Sequence, residues 1–580
     1  SYDELYSLVK KKRKGMEGRQ SRCETQWSNA GESRNPGTPD GNKLPERPEN
    51  HKIRAMYKNP IILCDYSDPD VIRVGGNYFM VASSFNFTPG LPILFSKNLV
   101  NWKLINYAAE NIPLEQYNFP QNAKGIWAPS FSYHKGIFYI IVGLPDEGIF
   151  LTQTDDIFGK WSPLKLIYKA KGFIDPALFF DDDGNAYVYH AYAKSRCGFN
   201  SKIGVLRFNK KLKVCEGEDK IIFDGTEKHP TMEGPKVYKR NGFYYIFAPA
   251  GGVAEGWQTV LRSKNPEGPW EDKIVLKEGE SGINGPHQGA FVETPFGENW
   301  FIHFQDRGIF GRIVHLEPVL WKNDWPLMGT SVKTGLMPGE PVLKFRSPKS
   351  SILKNLKNPF KKPVCAFENC GLEWQWSGNH SEKFAKAERS FNPDAENFRL
   401  AVLHCGSKNQ NGFPVLWNSS NVLTQKIQYE NFYLKAVLDV SSLPNGSRAG
   451  MIFLADEYAS VAIEKTVAGF DFVYLKSKNE DLTDDTRSEF EVYREHLKLK
   501  NENQPIKIRM DFISFSTYSG AVQFTVKTGM GLKNSFKWKS DFFTTESAHW
   551  VGGRFGIYAI GNANADENGS ALFKSIKVRH

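Results

Sequence analysis

Thr231-Met232-Glu233-Gly234-Pro235-Lys236-Val237-Tyr238-Lys239-Arg240-Asn241-Gly242-Phe243-Tyr244-Tyr245-Ile246-Phe247 reads as a carboxylate entering a strand, a tight Asn-Gly turn and an aromatic return strand. The same grammar recurs at Asp68-Pro69-Asp70-Val71 with Gly76-Asn77-Tyr78-Phe79, and at Trp127-Ala128-Pro129-Ser130 with Gly136-Ile137-Phe138-Tyr139. It returns at Asp175-Pro176-Ala177-Leu178 with Gly184-Asn185-Ala186-Tyr187, and at Pro286-His287-Gln288-Gly289 with Gly297-Glu298-Asn299-Trp300. Five copies spaced by about 50–60 residues are the mark of propeller blades or of a solenoid.

In a propeller each blade is a radial four-stranded sheet, so the residue opening each innermost strand sits beside the central channel. Asp68, Trp127, Asp175, Glu233 and His287 are therefore expected to converge, although they lie far apart in the chain. Three carboxylates, an indole and an imidazole in one depression make a site. Paired carboxyl groups are what glycosidic bond cleavage requires.

Composition sets the bounds. With 40% hydrophobic and 24% charged residues, 50 Gly and 32 Pro in 580 residues, the chain is a turn-rich globular protein. No apolar run approaches the ~18 residues of a membrane span, so no membrane partner is expected. The chain opens on Ser1 without a signal-peptide pattern, which carries no information where a leader has been trimmed. Much of the formal charge of +10 gathers at Lys10-Lys11-Lys12-Arg13-Lys14 and in 349–362, outside the repeats. That distribution reads as a solvated arm and linker and not as a nucleic-acid surface. The seven cysteines (Cys23, Cys64, Cys197, Cys215, Cys365, Cys370, Cys405) are odd in number and scattered, with no Cys-x-x-Cys, which argues against zinc and redox motifs. Cys365 and Cys370 are close enough in sequence to be candidates for pairing.

Residues 1–56 carry the basic run and then Gly-, Asn- and Pro-rich sequence, an irregular arm with helical character only near its start. Residues 57–345 are the five-bladed β-propeller. Its ring is expected to close through Gly311-Arg312-Ile313-Val314-His315-Leu316 and the segment 321–325, since terminal edges need protection. Residues 346–363 are Pro-, Ser- and Lys-rich and read as a linker. From 364 to 580 short strands separated by Asn-Gly, Ser-Gly and Gly-Gly turns predict a β-sandwich, of which lectin-like jelly rolls are one form. The expected fold is all-β throughout.

Within the repeats, Asp68 precedes Pro69, which fixes the local backbone and removes a competing donor; a carboxylate held there can draw a proton from water. Glu233 has the opposite task, for which its proton affinity must rise through burial or a neighbouring negative charge. Asp175 either supplies that charge or orients Glu233 by a hydrogen bond. Asp181-Asp182-Asp183-Gly184 reads as ordinary turn chemistry. His287 is left between three readings: binding a sugar hydroxyl, holding a channel cation through water, or an internally satisfied histidine. Trp127, Phe85 and Phe87 are candidates for flat walls against a sugar ring, in a chain where most aromatics are core. Gly251-Gly252-Val253-Ala254-Glu255-Gly256 permits close backbone approach but lacks the ending of a phosphate loop.

At these residues the sequence resembles glycoside hydrolase family 43, five-bladed propeller enzymes acting on arabinose- and xylose-containing plant polysaccharides. The resemblance runs through Tyr66-Ser67-Asp68-Pro69-Asp70, Gly125-Ile126-Trp127-Ala128-Pro129, Phe173-Ile174-Asp175-Pro176, Met232-Glu233-Gly234-Pro235, Gly285-Pro286-His287-Gln288-Gly289 and Gly311-Arg312 ahead of Leu316-Glu317-Pro318-Val319. It implies an inverting mechanism with Asp68 as general base, Glu233 as general acid and Asp175 modulating the acid, the base and acid carboxyls standing about 6.5–9.5 Å apart. It further implies that Arg312 contacts the sugar and that Phe85 and Trp127 wall it. No organic cofactor is implied; a structural calcium in the channel, with His287 nearby, is an expectation. Gly371-Leu372-Glu373-Trp374-Gln375-Trp376 and Asn421-Val422-Leu423-Thr424-Gln425 resemble the concanavalin-like sandwich of the family's xylosidases and arabinofuranosidases. There a sandwich loop lends an aromatic to the pocket rim; Trp550 is the candidate, although His549-Trp550-Val551-Gly552-Gly553 departs from the usual pattern for that role.

An appended sandwich favours a pocket over a groove, hence exo-action on terminal α-L-arabinofuranose or β-D-xylose of oligosaccharides, with endo-arabinanase as the alternative. Retaining fructosidase-type propellers carry Asn-Asp-Pro-Asn-Gly, Arg-Asp-Pro and Glu-Cys signatures that are absent here, where Ile174 precedes Asp175 and Gly234 follows Glu233. A non-catalytic carbohydrate-binding propeller is the reading from another class, and three intact acidic positions count against it. The substrate class suggests a periplasmic or extracellular enzyme with its leader removed, a cytoplasmic one being the alternative. Oligomeric state is not legible.

Overall fold

The computed structural model describes residues 54–331, 337–350, 363–404, 412–479, 487–529, 535–562, 564–566 and 568–580. The arm expected over 1–56 lies almost wholly outside the described residues, as do Cys23, Cys405 and most of the linker. Among the described residues no helix is long and apolar enough to cross a membrane.

Five four-stranded antiparallel sheets follow one another in sequence order, each a simple up-and-down meander. Their innermost strands are Asp70–Val74, Trp127–His134, Phe173–Phe180, Lys236–Arg240 and His287–Glu293. The hairpin that opens the sequence argument forms as its Asn-Gly pair requires: Arg240 pairs with Phe243, and Asn241 and Gly242 both take positive φ, 49° and 73°. Apolar layers bury the blade faces against one another, as with Phe79, Ile93, Ile126, Phe131 and Ile140 between the first two blades.

The ring closes partly as expected. Val314 exchanges backbone hydrogen bonds with Ile61 and Ile62, and Met56–Lys58 pairs with Lys344–Arg346. The segment 321–325 has a different place, in the outer hairpin of the fifth blade, where Lys322 pairs with Trp325. Each blade is complete in one stretch of chain, so the circle is held by the flanking segments and not by an exchanged strand. The chain also stays on the propeller past 346: Ser347 N–H bonds Ala55 O and Lys349 N–H bonds Glu298 Oε2.

The second half is a β-sandwich of a seven-stranded and an eight-stranded antiparallel sheet. Its core of Leu434, Met451, Phe453, Phe472, Met510, Phe512, Phe555 and Phe573 also takes in Ile309, Phe310 and Ile313 from the fifth blade. The two halves therefore share one apolar core. Polar contacts reinforce it: Trp376 and Thr88 exchange backbone bonds, Asn86 donates to Ser377 O, and Lys426 Nζ reaches Asp65 O at 2.5 Å. Among the described residues Cys365 and Cys370 are free thiols; Cys365 Sγ donates to Phe367 O instead of bonding to Cys370.

Candidate active site

Each innermost strand is entered through a left-handed residue: Asp68 (φ 55°), Ala128 (φ 30°), Asp175 (φ 54°), Gly234 (φ 57°) and Gln288 (φ 39°). In four of the five a proline follows directly. The ladder slips at this point between Trp127 and Ser130, between Ile174 and Ala177, and between His287 and Gly289. These are bulges, which bend the strand and re-aim side chains. They also correct the repeat register: the equivalent positions are Asp68, Ala128, Asp175, Gly234 and Gln288, so Trp127, Glu233 and His287 each stand one residue earlier. At position 234 the left-handed backbone favours glycine, and a Cβ there would press the Gln288 side chain at 2.8 Å.

Asp68, Phe85, Trp127, Asp175, Glu233, Arg312 and Trp550 line one cavity of about 250 Å³, together with Ala128, Ile174, Thr231, Gly252, Val253 and Gln288. Of the residues singled out from sequence, His287 lies behind the wall, against Glu233. Phe87 is elsewhere: it packs beneath the Arg554 guanidinium, 3.9 Å away, in the seam with the sandwich. That seam also explains a buried cation, since Arg554 donates to Thr424 Oγ1 and Gln375 Oε1.

Asp68 is 5% exposed and held from three sides. Ser67 Oγ and Ser83 Oγ reach its Oδ2 at 2.9 and 2.6 Å. Each hydroxyl in turn accepts an N–H, from Arg312 Nη1 (2.9 Å) and from Ala128 N (2.7 Å), so the hydroxyl proton is free to point at the carboxylate. Arg312 Nη1 also stands 3.4 Å from Asp68 Oδ1. Neither serine carries a sequence signal beyond adjacency to an Asp or to a strand end.

Asp175 accepts the Gly234 N–H at Oδ2 (2.8 Å), which ties it to the residue after Glu233 and not to the Glu233 carboxyl. Burial first, then the Glu233 and Asp68 charges, push the Asp175 carboxyl well above the usual carboxylate range; the Gly234 N–H and Lys236 oppose the rise. Glu233 Oε1 lies 2.8 Å from His287 Nε2, an internal contact of the kind the third reading of His287 allows. His287 Nδ1 is buried without a hydrogen-bond partner among the described residues. No cluster of three or more metal-ligating side chains occurs among the described residues, and no step below is routed through a metal.

Trp550 arrives from the sandwich and meets Trp127 edge-on, ring centroids 4.8 Å apart. It takes φ 63°, and its loop is pinned by Asp65, whose Oδ1 accepts Arg312 N–H and whose Oδ2 accepts Gly552 N–H. The run Asp181-Asp182-Asp183-Gly184 is a turn, as read, with one addition: Asp181 is buried and bonded to Tyr244 Oη and Lys239 Nζ. Burial raises its proton affinity, and those two donors outweigh it to leave the carboxyl below the usual range.

Residues 57–326 match the family model described as glycosyl hydrolases family 43, and residues 366–579 match the beta xylosidase C-terminal concanavalin A-like domain. A putative beta-xylosidase of Xylanibacter ruminicola is 41% identical over 335 residues, covering 56% of this chain and 59% of that protein. A beta-xylosidase of Formosa agariphila is 26% identical over 554 residues, 87% of each chain. A non-reducing end alpha-L-arabinofuranosidase of Bacteroides ovatus is 30% identical over 57% of this chain and 63% of its own. Among solved structures, a xylan beta-1,4-xylosidase from Bacillus halodurans superposes with a TM-score of 0.72 at 20% identity, over 90% of this chain and all of that one, a likeness of fold.

Proposed function

Because the chain belongs to glycosyl hydrolase family 43, we propose that it is an inverting exo-glycosidase releasing terminal β-D-xylose, α-L-arabinofuranose or both from plant oligosaccharides. The observation that carries the reading is one cavity of about 250 Å³ lined by Asp68, Asp175 and Glu233 and flanked by a tryptophan from the second domain. That volume lies below the ~300–1,000 Å³ of drug-sized sites, which suits a single sugar unit and not a length of polymer. Relatives named for xylose and for arabinose support both sugars as substrates.

In this reading Asp68 takes a proton from the water that attacks the anomeric carbon. Ser67 and Ser83 aim its Oδ2, and Arg312 binds a sugar hydroxyl beside it. Glu233 gives its proton to the leaving oxygen as the glycosidic bond breaks. With His287 Nε2–H donated to Oε1, the transferable proton sits on Oε2. Asp175 holds the backbone next to the acid through Gly234. Trp127 and Trp550 set the rim that blocks an internal stretch of chain.

The test is a panel of nitrophenyl β-D-xyloside, nitrophenyl α-L-arabinofuranoside and linear arabinan, with the product anomer followed by proton NMR. Terminal release with inverted configuration is expected. Retention of configuration, or cleavage of arabinan in preference to both glycosides, would overturn the reading.

A further inference from the structure

Beneath the floor of the cavity lies a charged contact that the mechanism above does not use. Lys236 and Asp70 are 2% and 4% exposed, and Lys236 Nζ stands 3.4 Å from Asp70 Oδ2. The ammonium also donates to Pro129 O at 2.7 Å. Lys236 opens the inner strand of the fourth blade, two residues past Gly234; Asp70 opens that of the first, two residues past Asp68. Packing contacts run from the first inner strand to the second and fifth, and from the third to the second and fourth. The first and fourth blades are therefore not neighbours, and the ion pair crosses the central channel. Asp70 is itself rigid: Oδ2 accepts Phe131 N–H at 2.7 Å and Oδ1 accepts Val71 N–H at 3.0 Å.

We propose that Lys236 is a positioning residue, whose buried ammonium staples the strand carrying the acid to the strand carrying the base and supplies a fixed positive charge below the three carboxylates. The inference rests on the proposed glycosidase reading and deepens it. Inversion depends on how far apart acid and base are held, and Lys236 fixes that spacing two to three residues from each. The groups facing the same space are Asp68 and Asp70 from the first blade, Asp175 from the third, Glu233 and Lys236 from the fourth, and His287 and Arg312 from the fifth. The second blade adds Trp127 and the Pro129 carbonyl. Four carboxylates share this space with two permanent cations, so deleting one cation raises the cost of every remaining negative charge. Lys236 already acts in that sense on Asp175.

The experiment compares wild type, Lys236→Met and the double variant Asp70→Asn/Lys236→Met. It reads kcat and KM on both nitrophenyl glycosides from pH 4 to 9, together with Tm. Removing one partner of a buried ion pair is strongly destabilising, whereas removing both is often tolerated, so the double variant keeps the test alive if the single one does not fold. Lys236→Met is expected to lower kcat about tenfold or more with KM nearly unchanged, and to move both limbs of the pH profile upward by about half a unit or more. The double variant is expected to regain most of the lost Tm while kcat stays about tenfold low, since nothing then spans the channel. Wild-type kcat and pH profile in either folded variant would overturn the proposal. A folded wild-type protein inert on both glycosides would instead overturn the enzymatic reading beneath it.

Discussion

Ser83→Ala removes one hydroxyl that does two things at once. Its Oγ reaches Asp68 Oδ2 at 2.6 Å and accepts the Ala128 N–H at 2.7 Å. A hydrogen bond to a charged group contributes about 1.5–3 kcal/mol. Lost wholly from the transition state, that is about 10- to 150-fold in kcat/KM at 1.36 kcal/mol per decade. Ser67 still holds Oδ2 from 2.9 Å, so the expected loss is toward the lower end, about 10- to 30-fold. Stranding the Ala128 N–H costs a further ~1–3 kcal/mol of stability, at a residue whose φ of 30° already strains the backbone. The assay is kcat/KM on nitrophenyl β-D-xyloside and nitrophenyl α-L-arabinofuranoside, with Tm alongside. The loss should be similar on both, because water activation is needed whatever leaves. Activity within twofold of wild type, with Tm reduced, would refute the reasoning and leave Ser83 a purely structural contact.

Three further outcomes follow from the same geometry. Glu233→Ala should abolish release from natural oligosaccharides yet keep a measurable rate on nitrophenyl glycosides, whose leaving group needs little protonation; equal loss on both contradicts the acid role. Asp175→Asn should inactivate the enzyme and stabilise it near neutrality. The native fold holds a proton that the unfolded chain releases, so wild-type stability falls as pH rises from about 4, and the neutral amide escapes that penalty. The Tm advantage of the variant should shrink toward pH 4 in scanning calorimetry, and an advantage growing at low pH contradicts the sign. Trp550→Ala deletes an edge-to-face partner of Trp127 worth about 0.5–1.5 kcal/mol together with part of the rim, so KM should rise about three- to tenfold with kcat largely kept; an unchanged KM places Trp550 outside sugar binding.

The repeat was legible because each inner hairpin carries its own turn chemistry, as Asn241-Gly242 does with two positive φ values. Its phase is offset by one residue in three of the five blades, at Trp127, Glu233 and His287. The feature that recurs is the left-handed residue ahead of Pro69, Pro129, Pro176 and Pro235, whereas the eye is drawn to the charged or aromatic residue beside it. Trp127, Phe85, Arg312 and the three acids were named from sequence and line a common cavity. Ser67, Ser83, Lys236 and Asp65 were not, since a serine or a lysine at a strand end becomes informative only once its partner is known. Arg312 and Ala128, which complete the two serines' contacts, lie on other blades, as Asp70 does for Lys236, and the Gly552 that Asp65 holds lies in the other domain; no local pattern reports them. His287 is a further case: its ring is turned toward a carboxylate 54 positions earlier, an internal partner that nothing near it in the chain identifies.

The carboxylate of Asp65 joins Arg312 to Gly552, the latter 487 residues beyond Asp65 in the chain, and Phe310 is buried among sandwich side chains. Cutting the gene between its halves would thus bare a greasy surface and unmoor the loop beside the sugar. Substrate choice in such a protein can drift through changes near its far terminus with every propeller residue untouched. A grafting project that trades catalytic blades between homologues must carry the second half along with them.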